Sequence, residues 1–156
     1  MQMREFLRNW SPNVAEAAGA RQSAALPYCV VDGRATFLLI TSRRTGRWIF
    51  PKGAVGSGLT PWESAAREAM EEGGVTGEIS NTPIGSYRAS SSGSELIDVD
   101  LFPLRVLTQL DEWQEMDQRL RHWTLLPEAR RLLADPALSR HVELLSSRLS
   151  ARGATR

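Results

Sequence analysis

Three glutamates, Glu68, Glu71 and Glu72, stand at relative positions i, i+3 and i+4. At about 3.6 residues per turn, that spacing puts them on one face of a helix. Like charges so placed repel one another and destabilise the helix, so the arrangement calls for a compensating charge. Carboxylate oxygens suit a hard divalent cation, Mg2+ or Mn2+, with phosphate oxygens and waters completing the octahedron. Arg67 stands beside them and can hold one carboxylate as a bidentate pair. On spacing alone, a solvated acidic face of an ordinary surface helix is an equally good reading.

The helix that carries these residues has a well-marked start. Thr60 is placed as N-cap, Pro61 at the first helical position and Glu63 at the third, the pattern of a capping box. It is predicted to run to Glu72 and to end at Gly73-Gly74, where glycine tolerates a left-handed cap. Upstream, Ala24–Val31 and Thr36–Thr41 read as a hairpin around Asp32-Gly33, buried on both faces, and Trp48–Phe50 as a short strand stopped by Pro51. Downstream, Glu78–Ser80, Gly85–Ser90 and Glu95–Leu107 read as strands, with Ser90–Gly93 as a mobile loop. In the last strand Ile97, Val99 and Leu101 alternate with Asp98 and Asp100, and Pro103 predicts a sheet edge or a bulge. Helices are predicted over Pro127–Leu133 and from Asp135-Pro136 onward, the second with Leu138, Val142, Leu145 and Leu149 on one face. Phe6, Leu7 and Trp10 would pack as a short helix. The sum is an α/β chain with helices packed on a mixed sheet.

From Gly53 to Val75 the chain resembles the Nudix box, G-x5-E-x7-R-E-U-x-E-E-x-G-U with U a bulky aliphatic residue. Gly53, Arg67, Glu68, Glu71, Glu72, Gly74 and Val75 fall in register. Two positions depart from it: Leu59 stands where the box has its first glutamate, and Ala69 where it has an aliphatic residue. Beyond the box, Arg43, Arg44, Gly46 and the run Trp48 to Gly53 are similar to the diphosphoinositol-polyphosphate phosphohydrolase-like branch of the family. So are Trp113, Glu115, Arg119, Trp123 and Glu128-Ala129. The resemblance spans about Ala24 to Leu133. It implies an α/β/α sandwich around a mixed sheet, and hydrolysis of a phosphoanhydride in a nucleoside diphosphate-linked or polyphosphate substrate.

The resemblance also assigns roles. Glu68 and Glu72 are expected to bind the metal, with Glu71 as a shared ligand or the base and the Gly53 carbonyl as a further ligand. Arg67 is expected to orient the cluster. Glu115 is the expected base outside the box, with Asp98 and Asp100 as weaker candidates. Phosphoanhydride hydrolysis needs neutralised phosphates, an in-line water and an acceptor for its proton. Arg43, Arg44 and Lys52, with Arg47 beside them, form a local basic patch suited to phosphates, and Arg88 and Arg119 are lesser candidates. Tyr28, Trp48 and Trp113 read first as core or rim aromatics and second as stacking platforms. His122 and His141 receive no role.

The expected substrate is a small phosphoanhydride, a dinucleoside polyphosphate or a diphosphoinositol polyphosphate. Two alternatives are an oxidised-nucleotide sanitising pyrophosphatase and a non-catalytic nucleotide-binding module. Neither the downstream proline common among ADP-ribose pyrophosphatases nor the tyrosine of some diadenosine-polyphosphate enzymes stands at its expected offset.

The 156 residues are expected to form a single domain, with about 1–20 as an N-terminal extension and about 150–156 as a frayed tail. With 19 basic against 18 acidic residues, nothing in the bulk charge points to nucleic acid or a membrane surface. Cys29 is the single cysteine, and no stretch is long and apolar enough to span a bilayer or serve as a leader. A cytoplasmic protein is therefore expected. The apolar face of the last helix would either cap the sheet or support a homodimer.

Overall fold

The computed structural model describes residues 21–90 and 95–154. The readings made for Phe6, Leu7 and Trp10 and for most of the loop at 90–93 lie outside them. In chain order the elements are β1 (Gln22–Val31), β2 (Arg34–Thr41), β3 (Trp48–Ile49), β4 (Lys52–Ala54), α1 (Pro61–Gly73), β5 (Val75–Ile79), β6 (Gly85–Ser90), β7 (Leu96–Gln109), β8 (Arg121–Leu125), α2 (Leu126–Leu132) and α3 (Pro136–Ala154).

The strands form one mixed sheet with the path β3-β2-β1-β7-β5; β4 pairs with β1, β6 with β7 and β8 with β2. The β1–β7 pair is parallel, and the other pairs are antiparallel. Strand parity separates two cores. Ala25, Leu38, Phe102 and Leu104 face α1, where they meet its Ala65 and Ala69 and, at the start of β5, Val75. Leu26, Phe37, Leu39, Val99 and Leu101 face the other way, onto Ala129, Leu133, Leu138, Val142 and Leu145 of the C-terminal helical segment. Helices on both faces explain why Phe37 to Ile40 is an unbroken apolar run: all four are fully buried. The α/β/α sandwich follows directly.

Two readings need correcting. Pro103 marks neither an edge nor a bulge. It lies inside β7, opposite Leu26 of β1, at the gap where pairing passes from β6 to β5. Its carbonyl accepts from the Ser80 amide at 2.9 Å, and the absent proline N–H falls where no strand partner is needed. β8 was not anticipated, because Arg121–Leu125 alternates too briefly to stand out. α3 runs to Ala154. The face of α3 carrying Leu138, Val142 and Leu145 is buried against the sheet. No described helix is long and apolar enough to cross a membrane.

Candidate active site

α1 begins as its sequence dictates. The Thr60 hydroxyl accepts from the Glu63 amide at 3.2 Å, and the Glu63 carboxylate accepts from the Thr60 amide at 3.3 Å. At the other end Gly74 adopts φ 65°, ψ 36°, a left-handed conformation that glycine takes without penalty. The last turn has no basic residue of its own, so its carbonyls are capped from elsewhere. Trp113 Nε1 donates to the Glu72 carbonyl at 3.1 Å, and Arg121 donates to those of Gly73 and Gly74 at 3.2 and 3.3 Å. The Arg121 guanidinium lies 3.7 Å from the centre of the Trp113 ring. The Glu115 amide completes the set, donating to the Glu71 carbonyl at 3.1 Å. The segment between β7 and β8 therefore docks on the helix end that bears the glutamates. That docking brings Glu115 to them despite the distance in sequence.

The carboxylates sit in a ring of charge. Glu72 is 6% exposed. It accepts from the Lys52 amide at 3.2 Å and pairs with Arg119 at 3.1 Å. Arg119 also reaches Glu115 at 3.3 Å and the Thr41 carbonyl at 3.0 Å, and Arg43 approaches Glu115 at 3.4 Å. Glu71 is held by Arg67 at 3.0 Å. Glu68 lies against Gly53: a β-carbon there would stand only 2.6 Å from the Glu68 carboxyl carbon, so the glycine provides a cradle that any side chain would fill. Burial, with help from Glu71, pushes the Glu68 carboxyl above its ordinary range. Burial pushes Glu72 up to about 8, opposed by Arg119 and reinforced by Glu68. The ion pair and the raised value pull in opposite directions. Loss of hydration at this buried position outweighs the guanidinium.

Neighbouring carboxylates are the donor set a hard divalent cation favours, and its charge would offset their mutual repulsion. Among the described residues no three of them converge on one point as ligands around an ion do. Arg67 and Arg119 hold Glu71 and Glu72 apart from such an arrangement. The donors fit a divalent cation; closing on it requires short side-chain rotations away from those arginines.

A cavity of about 540 Å³ opens beside Glu72, within the range of roughly 300–1,000 Å³ usual for small ligands. Arg43, Arg44, Arg47, Lys52 and Arg119 line it, as does Trp48. The basic patch read from the sequence thus faces the cavity. Arg43 donates to Gln118 at 2.6 Å, Arg44 to the Ser90 hydroxyl at 3.2 Å and Lys52 Nζ to Gln22 at 3.1 Å. Burial lowers the Lys52 ammonium, offset by Glu72. Arg88 lines the cavity too but is paired with Asp98 at 3.3 Å.

Other candidates lie elsewhere. Asp98 and Asp100 are engaged with Arg21 on β7. Tyr28 borders a separate cleft with Glu78, Arg105 and the end of α3. Trp113 caps the helix and does not line the cavity. His122 bonds Glu128 at 2.7 Å, and His141 meets the Ser86 carbonyl at 2.7 Å. Sequence reasoning missed Tyr87 and Asp135, both in the cavity wall. Strand alternation alone marks Tyr87 as core, and Asp135 was read only as a helix opener.

A family model described as the NUDIX domain matches residues 20–142. The chain belongs to the Nudix family. Among curated relatives, the mitochondrial Nudix hydrolase 12 of Arabidopsis thaliana is 33% identical over 113 residues, 68% of this chain and 56% of the relative. Nudix hydrolase 4 of the same plant is 35% identical over 94 residues, 60% of this chain and 45% of the relative. The chain spans about half the length of the curated relatives it matches. Among solved structures, an Ap4A hydrolase of C. elegans superposes with a TM-score of 0.64 at 21% identity, covering 84% of this chain and 98% of that one. The NUDIX domain of Shewanella oneidensis NrtR, solved with ADP ribose, gives 0.65 at 16% identity, with both chains fully covered. At such identities the likeness to both is one of fold. On this Nudix scaffold the box occupies β4, the following loop and α1, and Leu59 sits in that loop near Gly56 and Arg67.

Proposed function

We propose that this Nudix protein hydrolyses a phosphoanhydride bond with the help of Mg2+ or Mn2+. The expected substrate is nucleoside diphosphate-linked or a polyphosphate, such as a dinucleoside polyphosphate or a diphosphoinositol polyphosphate. The observation that carries the reading is Glu72: a buried carboxylate beside Glu68, opening onto a cavity lined with arginine and lysine. Glu68, Glu71 and Glu72 would hold the cation, with the Gly53 carbonyl as a further donor. The cation supplies neutralisation of charge on the phosphate oxygens. Arg43, Arg44 and Lys52 bind the phosphates and draw them toward Glu72. Glu115 accepts the proton of the attacking water. Arg119, in contact with both Glu72 and Glu115, sets their spacing, and Arg67 orients Glu71.

A panel of diadenosine polyphosphates, nucleoside triphosphates (oxidised ones included), ADP-ribose and inositol pyrophosphates, each with Mg2+ and Mn2+, tests this. Cleavage of at least one of the pyrophosphates into its two phosphorylated fragments is expected.

The pairing of Glu71 and Glu72 with arginines favours a second reading, a nucleotide-binding module that does no chemistry. Such a module would gain thermal stability from a ligand of the panel and release nothing.

A further inference from the structure

The cavity has two walls of different character. One, from β2 to β4, is basic: Arg43, Arg44, Arg47 and Lys52. The other, from β6 and the start of α3, presents Tyr87 and Asp135 with Leu138 beneath them.

Tyr87 is 7% exposed, and its hydroxyl has no hydrogen-bond partner among the described residues. Ser23 Oγ is the only fully enclosed side-chain polar atom left unbonded among those residues. Tyr87 lines the cavity, so its phenol stands where a bound ligand can meet it. Asp135 and Glu72 line the same cavity as Tyr87. A nearly buried hydroxyl without a partner is costly, and a ligand atom bonded to it would remove that cost.

Asp135 uses Oδ1 to accept from the Ala137 amide at 2.9 Å at the head of α3. No cationic side chain pairs with it among the described residues, so acceptor capacity remains toward the cavity. A phosphate brought to this wall would meet an unneutralised carboxylate and be repelled. A hydroxyl or amine would donate to it.

We propose that Tyr87 and Asp135 form a specificity subsite that receives a neutral, donor-bearing group of the substrate and rejects a further phosphate. A ribose hydroxyl or the edge of a base meets that description; a fully phosphorylated polyol does not. The inference rests on the hydrolase reading only in sharing its cavity. Of the two substrates proposed above, it selects the dinucleoside polyphosphate.

The test is calorimetric titration without divalent cation, using AMP and inorganic tripolyphosphate as probes. Wild type is compared with Tyr87→Phe and Asp135→Asn. The phenyl ring keeps the packing of Tyr87, and asparagine keeps an acceptor for the Ala137 amide. AMP affinity should fall about threefold to tenfold in Tyr87→Phe and about tenfold in Asp135→Asn. Tripolyphosphate should bind Tyr87→Phe as it binds wild type, and Asp135→Asn at least as tightly. Loss of AMP affinity in fewer than both variants would overturn the paired subsite, as would an equal loss of tripolyphosphate or a wild type that does not bind AMP. The expected pattern in a protein that hydrolyses nothing would sink the hydrolase reading and leave the subsite standing. Hydrolysis without the pattern would do the reverse.

Discussion

Replacing Gly53 by alanine probes the link between the box glycine and Glu68, the carboxylate proposed to bind the metal. The added methyl would stand 2.6 Å from the Glu68 carboxyl carbon, whereas ordinary contact begins near 3.4 Å. Gly53 is not among the glycines with positive φ, so alanine adds no backbone strain. The obstruction is the far end of a flexible, partly buried side chain, which can swing away. The stability cost should therefore stay within about 1 kcal/mol, a melting shift of roughly 2–4 °C for a domain of this size. Glu68, however, must retreat by at least about 0.8 Å, the difference between the two distances, since its Oε1 lies nearer still. A displacement of about 1 Å at a catalytic centre costs on the order of 100-fold in rate. Steady-state turnover of a diadenosine polyphosphate with Mg2+, beside a melting curve without it, measures both quantities. A variant within about threefold of wild-type kcat would refute the placement of Glu68 at the centre. A melting shift above about 10 °C would show that Gly53 serves the fold instead.

Three further outcomes are expected. Arg119→Ala removes one partner of an ion pair in which both side chains are only 8% exposed; such breaks cost about 3–5 kcal/mol, so cation-free melting should fall by about 10 °C, with partial recovery in Mg2+, and a fall under about 3 °C would contradict the pairing. Thr60→Ala removes the hydroxyl that accepts from the Glu63 amide while the Thr60 amide keeps its bond to the Glu63 carboxylate; it should cost about 1 kcal/mol in denaturant titration and leave KM unchanged. Leu59→Glu restores the missing box glutamate close to Arg67; because Arg67 is more than half exposed, the gain in Mg2+ affinity by calorimetry should not exceed about fivefold.

Much of this arrangement is legible in the sequence because its signals are local. The Thr60–Glu63 box, the Gly74 cap and the i, i+3, i+4 glutamates lie within one helix and its ends, so spacing alone places them. The run from Phe37 to Ile40 announces burial on both faces before either covering helix is known. Features that depend on long-range pairing are not readable this way. Pro103 looks like an edge residue until the gap between β5 and β6 is seen. Trp113 reads as a core or rim aromatic before a stacking platform, and nothing local reveals that its indole N–H caps the helix carrying the glutamates. Glu115 reaches the cluster only because its segment docks on that helix end. Tyr87 shows as an ordinary core aromatic until the unbonded hydroxyl and the cavity beside it are both known.

The central claim is that the buried carboxylates of α1 hold a divalent cation that drives hydrolysis. The most direct test follows Mg2+ binding by calorimetry and diadenosine-polyphosphate turnover together, in wild type and in Glu72→Gln. The glutamine keeps the size of the side chain and can still accept from the Lys52 amide. The account predicts Mg2+ binding and turnover in wild type and loss of both in the variant. Turnover that survives in Glu72→Gln, or that needs no divalent cation in wild type, would contradict it.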